Sequence, residues 1–65
     1  MSLPNAPIER IIRKAGAERV SEEAVEELRD AVEDLGEEVA ADATKMAEHA
    51  ERNTVKKEDV DMATQ

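Results

Sequence analysis

His49 stands beside Glu48 and two residues before Glu51, the one grouping in this 65-residue chain that looks like part of a metal site. One imidazole without convergent ligands is far more often structural, so metal binding is not expected. There is no cysteine, which removes thiolate nucleophiles, thiolate metal ligands and disulfides together. Nor is there a phosphate-cradling glycine loop, a calcium-loop ligand pattern, or a serine beside a plausible base. These exclusions point away from an enzyme and from any cofactor. The chemistry left to the chain is that of its charges, 17 acidic against nine basic side chains for a net charge of −8.

The charges are not evenly spread. Residues 22 to 51 carry twelve acids against Arg29 and Lys45, a balance of −10, so the remainder of the chain sums to +2. Any surface for a polyanion must therefore be built from the ends and the loops rather than from the middle. Arg10, Arg13 and Lys14 form a basic stripe nearly opposite the apolar face of their own segment, a pattern that is also common on an ordinary solvated face.

The elements that must position these charges follow from periodicity. Ile8, Ile11, Ile12 and Ala15 fall at i, i+3, i+4 and i+7, which predicts a helix over about 6 to 15, with Asn5 or Ala6 as cap, Pro7 in the first turn and Gly16 as the stop. Ser21 followed by Glu22 and Glu23 marks a second start, a hydroxyl cap and then acids at the positive end of the helix dipole. From Val25 through Leu28, Val32, Leu35, Val39, Ala43 and Met46 to Ala50 the apolar steps of three and four continue unbroken, predicting one helix of about 28 residues and about 42 Å. Gly36 stands near the middle of that helix on its apolar stripe, where a close backbone approach between two copies would give it a packing reason; tolerated drift is the alternative. A third, short helix carries Val60 and Met62 or Ala63, with Glu58 and Asp59 in its first turn. Arg19-Val20 and Thr54-Val55, in the two connecting loops, are short β-branched pieces open to pairing as a two-strand bridge.

Such a chain makes one domain at most, and a marginal one. Of its 26 apolar residues 11 are alanine, and fifteen medium-sized side chains do not offset the cost of ordering 65 residues, on the order of 100 kcal/mol. A long helix with a narrow apolar stripe must lie against another chain, so an obligate oligomer is expected. With no apolar run of membrane-spanning length and no signal-peptide core, a soluble, cytoplasmic protein is expected.

The order short helix, loop, long helix, loop, short helix matches the histone fold, and two stretches match more closely still. LPNAPIERIIRKAGAERVS resembles the N-terminal half of an archaeal histone, and MAEHAERNTVKKEDV is similar to that family's long-helix end, second loop and third helix. The resemblance runs without gaps over essentially the whole chain. It implies an all-α histone fold, a single domain over residues 1–65, and a handshake dimer whose long helices cross near Gly36. It further implies a nucleoid protein that binds and compacts double-stranded DNA through phosphates, without reading sequence. The DNA contacts it implies are Arg10, Arg13, Arg19, Thr54 and Lys56, with Arg19 facing a minor groove. Arg52 and Asp59 match an internal ion pair of the second loop. Met46, His49, Asp59 and Met62 match a dimer–dimer surface, and Gly16 a stacking contact between successive dimers. The implied partners are DNA, a second copy of the chain or a paralogous histone, and further dimers in a tetramer or larger assembly, with no membrane. Asn53 stands where the family usually has lysine, Glu51 where it has a small residue, and the sequence stops at Gln65 where the family runs into a basic tail. These departures keep a second function in view, an acidic histone-fold dimerisation or capping module that binds DNA weakly or not at all.

The acidic segment also disfavours itself. Seven like-charge pairs at i,i+4 run along it, from Glu22 with Glu26 to Glu38 with Asp42. At low ionic strength they cost together about 1.5 to 3.5 kcal/mol, most of which salt screens; a salty cytoplasm is one explanation of the acids, an acidic partner-binding face or simple solubility another. The melting temperature of the folded dimer is therefore expected to rise from low to molar salt; a flat or falling trend counts against this account.

Overall fold

The computed structural model describes residues 3–65, which form three helices and, among the described residues, no strand: α1 (Asn5–Lys14), α2 (Glu22–His49) and α3 (Lys57–Ala63). The chain resolves into two compact units, residues 1–34 and 35–65, with α2 continuing from one into the other. No described helix is long and apolar enough to cross a membrane.

In the first unit, α1 begins one residue earlier than the periodicity indicates, and its cap is neither Asn5 nor Ala6. Pro4 holds the N-cap position with extended backbone (φ −66°, ψ 151°) and makes no side-chain cap bond. The side chain of Asn5 is drawn instead to α2, where its Oδ1 accepts from Arg29 Nη1 at 2.8 Å. That partner lies 24 residues away, beyond the reach of a local cap rule. The N-terminal segment is held to α2 at a second point, by Leu3 N donating to Glu33 Oε1. Ile8 and Val25 are the buried apolar residues of this unit, while Ile11, on the same predicted stripe as Ile8, stays 49% exposed.

α1 ends in a paired-bond stop. Gly16 N donates to Arg13 O at 3.0 Å and Ala17 N to Ile12 O at 3.4 Å. This arrangement requires a left-handed residue just past the helix, and Gly16 supplies it at φ 112°. Ser21 then opens α2 as its sequence suggests, accepting from Ala24 N at 3.1 Å through Oγ.

In the second unit, α2 closes with the same pattern of bonds, Glu51 N to Glu48 O and Arg52 N to Ala47 O, each at 2.9 Å. The left-handed position here falls to Glu51, at φ 58°. A side chain in that conformation costs about 1 to 2 kcal/mol, so the unit carries local strain where α1 carries none. Ala43 and Ala47 are the buried apolar residues of this unit; Leu35, Val55, Val60 and Met62 are exposed. Gly36 is exposed, and a Cβ built there meets no heavy atom within 4 Å, so nothing within one chain requires a glycine. Arg19-Val20 and Thr54-Val55 remain loop segments, so the pairing considered from their β-branched residues does not form in this chain.

Replacing the strained residue provides a direct check. Glu51→Gly is expected to raise stability to thermal or chemical unfolding by about 0.5 to 1 kcal/mol, the left-handed penalty less glycine's own entropic cost. An unchanged or lowered stability would show that Glu51 bears no strain.

Candidate nucleic-acid interface

The two loops that follow α1 and α2 are each braced by an arginine donating to a loop carbonyl. In the first unit Arg13, on the last turn of α1, donates through Nη1 to Glu18 O at 3.1 Å. Its Nε and Nη2 both donate to Glu9 Oε1 one turn back, at 3.3 and 3.0 Å. The guanidinium is thereby fixed in orientation, yet its side chain stays 51% exposed. Glu18 directly precedes Arg19, so the same bond sets the path of the loop where Arg19 leaves it.

In the second unit the brace is stronger. Arg52 Nη1 and Nη2 donate to Asp59 Oδ2 and Oδ1, both at 2.8 Å, in a bidentate pair. Arg52 Nη1 also donates to Thr54 O at 2.9 Å, and Asp59 Oδ2 accepts from Lys56 N at 2.8 Å. This last bond caps α3 from its third residue. Arg52 and Asp59 together thus fix the backbone at Thr54 and at Lys56. Asp59 is buried, at 4% exposure, with its two oxygens taking three donors. The Arg52 guanidinium, and then the Lys56 amide, hold its carboxyl down from the ordinary 3.8 to about 2, against the opposing effect of burial.

The basic residues divide by what they hold. Arg52 is committed to Asp59, Lys57 Nζ donates to Asp61 at 2.6 Å, and Arg29 is spent on Asn5. Arg29 Nε is buried without a hydrogen-bond partner, 3.7 Å from Asp30 Oδ1. Arg10 and Lys14 on α1, Arg19 in the first loop, Lys45 on α2 and Lys56 at the head of α3 are exposed. Their side chains form no hydrogen bond or ion pair with any described residue. The Thr54 hydroxyl is uncommitted in the same sense, and Thr54 too is exposed.

Of the remaining residues singled out from sequence, His49 is the exposed last residue of α2 and shares a shallow notch with Lys45 and Glu48. Met46 is half-buried and Met62 59% exposed. Periodicity gave no sign of three contacts, those of Arg13 with Glu18, Arg29 with Asn5 and Leu3 with Glu33, because each joins residues whose spacing follows no helical or strand repeat.

The sequence that forms these two braced loops and the 28-residue helix between them in chain order is matched by a known family. The family model describing histone-like transcription factors (CBF/NF-Y) and archaeal histones covers residues 1–64. The chain belongs to this family. It is 57% identical over 61 residues to a chain of the archaeal histone HAN1 from Thermococcus zilligii, an alignment spanning 94% of this chain and 91% of that one. To probable archaeal histone 3 of Methanocaldococcus jannaschii it is 49% identical over the same shares of both chains. The three helices are accordingly a histone fold, and as a member of this family of histone-like transcription factors and archaeal histones the chain is not an enzyme.

The ionised carboxylate of Asp59 gives a pH test of the second loop. Because its folded value lies below the unfolded one, the pair stabilises the fold fully above about pH 5, and this contribution is lost as pH falls from about 4 toward 2. The gap in melting temperature between the parent and Asp59→Asn should therefore narrow across that window. A gap independent of pH would show that the ionised pair adds nothing.

Proposed function

We propose that this histone binds and compacts double-stranded DNA as a dimer, through phosphates and without reading sequence. The observation that carries this reading is the division of its cations. Arg29 and Arg52, in and just after the acidic helix, are spent on internal partners, and Lys45 is the one uncommitted cation on that helix, whereas Arg10, Arg19 and Lys56 are exposed and uncommitted on α1 and the two loops. Arg13 joins them, since a guanidinium held by Glu9 and Glu18 still has donors left for a phosphate oxygen. The loop braces support the same reading. They set the backbone next to Arg19, at Thr54 and at Lys56 before any ligand arrives, which lowers the ordering cost of binding.

The names of the relatives support a histone role, and paralogous histones are natural candidates for the second chain of the dimer. Exposed apolar side chains at Ile11, Leu35, Val60 and Met62 are what such a partner would cover. Met46, His49, Asp59 and Met62 would then join dimer to dimer, and Gly16 would admit close stacking of successive dimers. In that assembly Asp59 would take part through its ion pair with Arg52 rather than through an open carboxylate, since its oxygens are already occupied.

Titration of duplex DNA at several salt concentrations tests the reading. Four basic contacts per chain, about eight per dimer, give a log-log salt slope as steep as about −7, and Arg13→Ala with Arg19→Ala should reduce it to about −4 while weakening binding at every salt. Absence of binding throughout, or binding indifferent to the double change, would favour the dimerisation or capping module instead.

A further inference from the structure

In the second unit the exposed side of α2 carries an apolar patch with acids set into it. Leu35 is 61% exposed, although it lies in the middle of a 28-residue helix. Val39 and Met46, both half-buried, continue its face at i+4 and i+11, and between them Glu38 and Asp42 fall at i+3 and i+7 from Leu35. Both carboxylates are exposed, and neither makes a hydrogen bond or ion pair with a described residue. From Leu35 to Met46 the helix holds Glu37, Glu38 and Asp42 against one base, Lys45.

Any chain that covers Leu35 must bring its own side chains within reach of Glu38 and Asp42. A second copy would bring an identical stretch, three acids against one lysine, and an excess of like charge at an interface is a penalty that selects against that partner. A helix with lysine or arginine opposite these positions does better twice over. Its aliphatic stems cover Leu35 and Val39, and its charged heads answer the carboxylates.

We propose that this patch is a docking surface selective for a histone-fold chain whose long helix is basic, in preference to a second copy of this chain. The selection is electrostatic, so it is strong at low salt and fades as salt screens it, when the second copy becomes an acceptable partner. The inference does not depend on DNA binding, and its test contains no DNA.

The parent chain is mixed with its Glu38→Lys, Asp42→Lys variant, the two carrying different mass labels, and the dimers are counted by native mass spectrometry after equilibration. At low salt, heterodimer is expected over both homodimers by about tenfold or more beyond random mixing, relaxing toward random at molar salt. Random mixing at low salt overturns the proposal. The neutral variant Glu38→Gln, Asp42→Asn covers the case in which the lysine variant does not fold. Its homodimer should be at least about tenfold tighter than the parent's at low salt, with the two converging at molar salt. Equal affinities at low salt overturn the proposal as surely as random mixing does.

Discussion

The constraint on which this histone depends is a shortage of apolar side chains around a helix too long to hide. Among the described residues only Ile8, Val25, Ala43 and Ala47 are buried apolar residues, and two of those are alanines. Leu35, Ile11 and Met62 remain about half exposed or more, although each sits on a helix at apolar spacing. Burying apolar surface is worth about 25 cal/mol for each Å², and one chain of this length has too little of it to meet the entropic cost of its own order. The second chain is therefore part of the folding problem rather than an addition to a finished fold. Because the helix that must receive it is acidic, association and charge are the same question.

The polar interactions serve a different end, the setting of two loops. Arg13 and Arg52 lie in different units and have unrelated partners, yet Arg13 donates to a carbonyl of the loop after its helix and Arg52, within the loop after α2, to a carbonyl of that loop. In the second unit the brace extends through Asp59 to the Lys56 amide, so one ion pair both closes the loop and caps α3. Burial alone would raise the pKa of Asp59; two guanidinium bonds and an amide more than reverse this. Exposed pairs such as Lys57 with Asp61 contribute far less, because water competes for both charges.

Much of this was legible in the sequence, and what escaped did so for physical reasons. The helices follow from the spacing of Ile8, Ile12, Val25 and Val32, and the Ser21 and Gly16 boundaries from residues whose preference is local. Asn5 misleads because its side chain has two uses, and Arg29, 24 residues on, outcompetes the adjacent amides. Glu51 misleads differently. The α2 stop has the same hydrogen bonds as the α1 stop, but its left-handed residue is one that gives no signal of that conformation. The pairing of Arg52 with Asp59 came only with the family resemblance, since a spacing of seven across a loop has no meaning until the loop has a shape. The exposure of Leu35 is implicit in the length of the helix, although no periodicity distinguishes a face covered by its own chain from one left for another.

The net charge of −8 acquires its meaning from this division of labour. Averaged over the chain it argues against any polyanion, yet the field at a phosphate depends on the nearest charges more than on the sum. Exposed charges more than about 8 to 10 Å apart are largely screened at physiological ionic strength. The −10 of residues 22 to 51 therefore acts most strongly along α2, and the +2 elsewhere acts around α1 and the loops. Added salt relieves repulsion along α2, and on the proposed function it would weaken the contacts of α1 and the loops with phosphate by removing the gain from counterion release. On the proposed function, association through α2 and phosphate binding are favoured together only within a window of ionic strength. Moving that window upward requires either more cations on the loops or a less acidic partner for α2.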